Sequence, residues 1–126
     1  MNIAVIGLGS NIDPQKNIVQ AKELIHKNFP IIKSSQFVET TPIGYPDQAN
    51  FLNGAVLVET VLEQSSFQST LKKIEHALGR KSSSKFGPRS IDLDLLVWND
   101  KIIDLDFYER DFIKQSVLEL LPKVKL

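Results

Sequence analysis

At 126 residues the chain has room for one domain built around one core. Its hydrophobic and charged fractions, 42% and 24%, are those of an ordinary soluble globular protein, and fifteen basic side chains balance fifteen acidic ones. That balance argues against a nucleic-acid or anionic-membrane partner, and the lack of cysteine excludes disulfides and thiolate metal sites.

Residues 3–8 (IAVIGL) read as a short buried strand, ended by Gly9, Ser10 and Asn11. No basic segment precedes this apolar stretch, so it is expected to be a strand and not a secretory signal. No run is long enough to span a bilayer, and a cytoplasmic monomer is expected. Asp13 is the expected N-cap of a first helix, with Pro14 at its first position and Ile18, Ala21, Leu24 and Ile25 as its apolar stripe. Residues 31–39 form a weak second strand whose centre, Ser34-Ser35-Gln36, points to a sheet edge. Residues 40–50 (TTPIGYPDQAN) hold two prolines and a glycine and read as a loop, long enough to suggest a function. Residues 51–60 (FLNGAVLVET) are a third strand. Ser65 and Gln68 fit a capping box, and Phe67, Leu71, Ile74 and Leu78 form the seam of a second helix that Gly79 ends. A basic loop, residues 80–90, leads into a fourth strand at 91–98, a tight turn at Asn99-Asp100 and a short return strand at Ile102-Ile103. Residues 104–126 leave one helical turn or two open, packed through Val117, Leu118 and Leu121. The order β-α-β-β-α-β is the ferredoxin-like α/β arrangement: an antiparallel sheet with helices on one face and the other left for loops or ligands.

The fourth strand concentrates the chemistry. In IDLDLLVW, alternation puts Asp92 and Asp94 on one face and Ile91, Leu93 and Leu95 on the other. Two adjacent carboxylates on so apolar a strand repel each other and are poorly hydrated, and a divalent cation relieves both costs. Mg²⁺ suits such a pair because it completes its shell with waters and substrate phosphates. Arg80, Lys81, Lys85 and Arg89 lie just upstream, in a loop able to close over polyphosphate. The alternative is a solvated strand face beside a solvated basic turn. Glu75 falls in the last helical turn, where the macrodipole disfavours an acid, so either it holds a ligand or it is an exposed helix position. Phe51 and Asn53 share a strand face, offering a stacking surface and an amide suited to a heteroaromatic edge. Gly7-Leu8-Gly9 suggests a dinucleotide fingerprint, but Ile12 stands where the third glycine belongs. A strand-to-helix turn needing small residues accounts for the pair better.

Together these residues resemble the 6-hydroxymethyl-7,8-dihydropterin pyrophosphokinase family of folate biosynthesis. The matching pieces are Gly9-Ser10-Asn11, the run from Thr40 through Phe51-Leu52-Asn53, Ile74-Glu75 with Gly79-Arg80, and FGPRSIDLDLL at 86–96. The resemblance implies transfer of pyrophosphate from Mg²⁺-ATP to the pterin hydroxymethyl group, with release of AMP. It implies two Mg²⁺ ions on Asp92 and Asp94, catalytic roles for Arg80 and Arg89 beside them, and a pterin pocket of Thr40, Thr41, Ile43, Phe51, Asn53, Phe86 and Phe112. Glu75, Arg80, Lys85, Arg89 and Arg110 would serve ATP. The chain departs from the family pattern in four places. Residues 104–109 hold no histidine where a His-bearing segment is usual, Ser116-Val117 replaces Pro-Leu, Ser82 stands for a second arginine, and Phe86 stands for tryptophan. These departures fall mainly on the ATP side, so a catalytically weakened or inactive pterin- or nucleotide-binding relative is the alternative, and a purely structural domain the third.

Overall fold

The computed structural model describes residues 1–41, 49–79 and 90–124. These form one six-stranded antiparallel sheet in the order β2-β4-β1-β5-β6, with β3 also paired to β4. The strands are β1 (Asn2–Ser10), β2 (Ile31–Ser34), β3 (Val38–Thr40), β4 (Phe51–Thr60), β5 (Asp92–Trp98) and β6 (Lys101–Ile102). The apolar run of β1 lies at the centre, between β4 and β5, as a strand hydrophobic on both sides should.

Alternation along β1 sends Ala4, Ile6 and Leu8 to one face of the sheet. There they meet α1 (Pro14–Asn28) and α2 (Gln64–Ala77). The expected stripes hold: Ile18, Ala21 and Ile25 are the buried side of α1, and Phe67, Leu71 and Ile74 that of α2. The Phe67 ring centroid lies 4.5 Å from that of Phe29 and 5.3 Å from that of Trp98, spacings at which aromatic pairs attract beyond their buried area. Gly79 follows the C-cap of α2 at φ +87, a conformation strained for any residue with a Cβ.

The opposite face departs from the expected loop cover. A third helix, α3 (Asp111–Leu120), and the 3₁₀ turn Leu105–Tyr108 pack there. Val117, Leu120 and Phe107 join Val5, Ala55, Leu57, Leu96 and Val97 in a second core. The helix therefore packs through Val117 and Leu120, flanked by Ile113 and Leu121; of the expected Val117, Leu118 and Leu121, only Leu118 stands outside this core. A bulge in β5 serves both cores. Ile6 faces Leu95 and Val5 faces Val97, so Leu96 is the extra residue. Leu96 and Val97 both turn to the second core, while Leu95 and Trp98 face the first.

Three local expectations are corrected. The strand expected at 31–39 is two strands on the edge of β4, broken around Ser35. The Ser35 N–H still donates to the Ala55 carbonyl at 2.8 Å, but the Ala55 N–H goes to the Ser35 hydroxyl at 2.8 Å, which in turn donates to the Gln36 carbonyl, so a side chain takes half of the ladder at the break. Asp13 precedes Pro14 as expected, but at φ 40 its side chain makes no cap bond. The second helix starts at Gln64 behind Glu63, which places Ser65 inside the helix and removes the capping box.

Candidate active site

Beyond the reach of the second core, the same sheet face opens into a cavity of about 320 Å³. Its floor is set by which residues β1 lacks. Gly7 and Gly9 follow Val5 on this face, inside the strand and not in a turn after it. A Cβ on Gly9 would lie 2.6 Å from Asn53 Oδ1, and one on Gly7 would lie 3.0 Å from Leu96 Cδ1. The two glycines therefore make a trough along the central strand into which Leu96 and Asn53 lean. Register fixes what stands on either side of it: Gly9 pairs with Asn53 on β4 and with Asp92 on β5, and Gly7 pairs with Asp94. Asn53 and Asp92 are thus two strand spacings apart, about 10 Å, with only a glycine between them.

One side of the trough is amide, hydroxyl and aromatic. Asn53 Nδ2 donates to Thr40 Oγ1 at 2.5 Å, which fixes the amide across the β3–β4 pair. Thr41, Phe51 and, from the first turn of α3, Phe112 line the same cavity. Ser10 and Asn11 close the end of β1: the Ser10 hydroxyl donates to the Ile12 carbonyl, and Asn11 Nδ2 donates to the Ala49 carbonyl at 3.2 Å.

The other side is acidic. Asp92 and Asp94 line the cavity with Asp104 and Asp106. The Asp94 carboxyl is pushed up from 3.8 to about 7, first by lost hydration, next by the neighbouring Asp92 charge. Glu75 and Asp104 add to the rise and Lys72 opposes it. Asp94 keeps accessible surface although protein atoms crowd it, and it lines the cavity. The expectation of a poorly hydrated carboxylate repelled by its neighbour holds for Asp94. Among the described residues no group of three or more His, Cys, Asp or Glu forms a closed cage for a metal. A two-carboxylate pair open to a cavity instead fits an ion that takes its remaining ligands from water and phosphate.

Glu75 is neither exposed nor on the cavity. It is 2% exposed, and its Oε2 accepts the Leu93 N–H at 2.6 Å, between the two aspartates in sequence. Its Oε1 lies 3.3 Å from Lys72 Nζ. The helix end tolerates this acid because a lysine and a strand amide answer its charge. Arg110 does line the cavity, with its Nε 3.6 Å from Asp106 Oδ2.

The structure therefore gathers Thr40, Thr41, Phe51, Asn53, Asp92, Asp94, Arg110 and Phe112 around one space. Ile43, Arg80, Lys81, Ser82, Lys85, Phe86 and Arg89 lie outside the described residues. Sequence reasoning missed Gly7 and Gly9 as a floor, and it missed Asp104, Asp106 and Ser116 as walls. A second Asp-x-Asp at 104–106 was the available signal for the acids. The Asp104 carboxylate accepts the Asp106 N–H at 2.9 Å and so starts the 3₁₀ turn.

Comparison with known proteins shows the family of the chain. The family described as 7,8-dihydro-6-hydroxymethylpterin-pyrophosphokinase (HPPK) matches residues 5–122. A 2-amino-4-hydroxy-6-hydroxymethyldihydropteridine pyrophosphokinase of Bacillus subtilis (strain 168) is 38% identical over 135 residues, covering 98% of this chain and 81% of the relative. The protein of the same description from Aquifex aeolicus (strain VF5) is 34% identical, covering 98% and 83%. A crystal structure of HPPK-DHPS in complex with substrates shares the fold, with a TM-score of 0.62 at 18% identity over 81% of this chain. It is much longer, and this chain spans 29% of it. The match runs almost end to end and takes in both sides of the glycine trough, and the chain belongs to the 7,8-dihydro-6-hydroxymethylpterin-pyrophosphokinase family.

Proposed function

We propose that the chain works as one pyrophosphokinase domain that binds 6-hydroxymethyl-7,8-dihydropterin on the Asn53 side of the trough and ATP on the aspartate side. The observation that carries this reading is the row Asn53, Gly9, Asp92 across three strands: the two outer strand positions stand about 10 Å apart and bring a heterocycle-reading amide and a carboxylate to one cavity. That separation suits a pterin whose hydroxymethyl arm reaches over the glycines toward a polyphosphate.

In this reading the Asn53 amide, held by Thr40, meets the pterin's heteroatoms, and Phe51 and Phe112 offer their faces to its ring. The pterin hydroxyl oxygen attacks the β-phosphorus of ATP in line, and the bond to the α-phosphate oxygen breaks to release AMP. Asp92 and Asp94 would hold two Mg²⁺ ions, which supply charge neutralisation on the phosphates. Glu75 acts as a positioning residue by holding the strand between the aspartates through Leu93. Arg80, Lys85 and Arg89 would draw phosphate oxygens, and Arg110 would join them after leaving Asp106. Ile43 and Phe86 would complete the pterin pocket. Such a site needs positioning and charge more than a covalent nucleophile.

A second reading, binding of pterin without turnover, is favoured by one observation. Arg110 is already paired with Asp106, within a segment that has no histidine. AMP release from Mg²⁺-ATP, with and without the pterin, decides between the two. Pterin-dependent AMP is expected, and Asp94→Ala should cut the rate on the order of a hundredfold or more. Pterin binding with no AMP from wild type would establish the second reading, and near-normal turnover in the variant would refute the metal assignment.

A further inference from the structure

We propose that Ser116 is a substrate-contacting residue of the pterin pocket, its hydroxyl donating to or accepting from a ring heteroatom of the bound pterin. The inference rests on the pterin site proposed above. Ser116 lies in α3, lines the cavity and is only 7% exposed. Among the described residues its hydroxyl has no hydrogen-bond partner. A serine inside a helix usually returns its hydroxyl to the carbonyl one turn back. Thr70 does so in α2, donating to the Ser66 carbonyl at 3.0 Å. Ser116 does not, and a buried hydroxyl left without a partner is unfavourable.

Its surroundings show what would relieve it. Of the residues that line the cavity with it, Ile113, Leu96, Gly7 and Gly54 carry no polar side-chain atom, and the charged ones, among them Asp94, Asp106 and Arg110, make no hydrogen bond to it. Asn53 and Thr40 supply polar groups from the sheet side, and Ser116 supplies one from the helix side. A flat heterocycle with heteroatoms on more than one edge can use both, whereas an aliphatic ligand would leave the hydroxyl unanswered. Proline at the sixth residue of α3 would remove an N–H from the helix interior and clash with the preceding turn. Serine lets the helix run on to Leu120 and places a hydroxyl at the cavity wall.

The test is calorimetric titration of the full chain with 6-hydroxymethylpterin and, separately, with Mg²⁺-ATP, in wild type and Ser116→Ala, with a thermal melt of each free protein. The pterin Kd should rise about five- to tenfold in the variant, the loss of one neutral hydrogen bond. The Kd for Mg²⁺-ATP should not move. The Tm of the free protein should stay equal or rise, because the variant removes an unanswered buried hydroxyl. Ser116→Thr, which keeps the hydroxyl, should bind the pterin more tightly than Ser116→Ala. An unchanged pterin Kd in Ser116→Ala overturns the assignment while leaving the pterin site standing. A lowered Tm with both ligands weakened alike also overturns it, in favour of a structural role. Failure of wild type to bind the pterin overturns the pterin site and this assignment together.

Discussion

On the face covered by α1 and α2, β1 presents Ala4, Ile6 and Leu8 to an unbroken apolar layer. On the other face the same strand presents Val5 and then two glycines, and the layer stops where α3 stops reaching. Adjacent residues of one strand thus serve opposite ends: Leu8 fills space and Gly9 clears it. Side-chain volume, alternating with the pleat, separates the face that packs from the face that opens into a cavity. Substitutions on the two faces should therefore fail in different ways.

The largest effect belongs to the filled face. Phe67→Ala removes a fully buried ring in contact with Phe29 and Trp98 and should cost about 3–5 kcal/mol in a denaturant titration. Protein that remains folded should keep its pterin affinity, and a changed affinity would show that the faces are coupled. Gly9→Ala should do the reverse. Its Cβ would collide with the Asn53 amide, so pterin affinity should fall roughly tenfold while stability falls by about 1–2 kcal/mol. A variant that binds normally would show that the amide can shift aside without loss.

The last effect is on pH dependence and belongs to the open face. Asp94 holds its proton to about pH 7 when folded, against an ordinary value of 3.8. Folding therefore gains from this group below the lower value and loses that gain as pH rises through the upper one. Without added divalent cation, stability should decline between about pH 4 and 7, and Asp94→Asn should flatten the decline. A profile identical in the two proteins would mean that the carboxyl is not perturbed in the folded state.

The filled face was the more legible of the two. The stripes of α1 and α2 follow helical spacing, and residues 51–60 became a strand with those same bounds, because burial on one side imposes a period. The aspartate pair was legible for the same reason, since two positions two apart must share a strand face. Features that depend on partners distant in sequence were not. Leu96 breaks the alternation because α3, built from residues 111–120, needs two neighbouring side chains to pack on. Glu75 looks misplaced if only its own helix is considered, and its reason lies eighteen residues later at Leu93. Ser35 ends a strand by bonding to Ala55, which no local pattern announces. The long C-terminal stretch resolved into a 3₁₀ turn and a helix because Phe107, Val117 and Leu120 had an apolar surface to cover.

The bond from Leu93 to Glu75 has a consequence for how molecules meet in a crowded solution. β6 pairs only with Val97 and Trp98, so among the described residues the first half of β5 has β1 on one side and no strand on the other. A bare strand margin is a template on which a neighbouring chain can lay its own backbone and begin to aggregate. The carboxylate of Glu75 already holds the amide that such an intruder would need, and its charge is unwelcoming to an incoming carbonyl. The same contact that holds the strand between the two aspartates therefore takes one amide of that margin out of reach of a neighbouring chain.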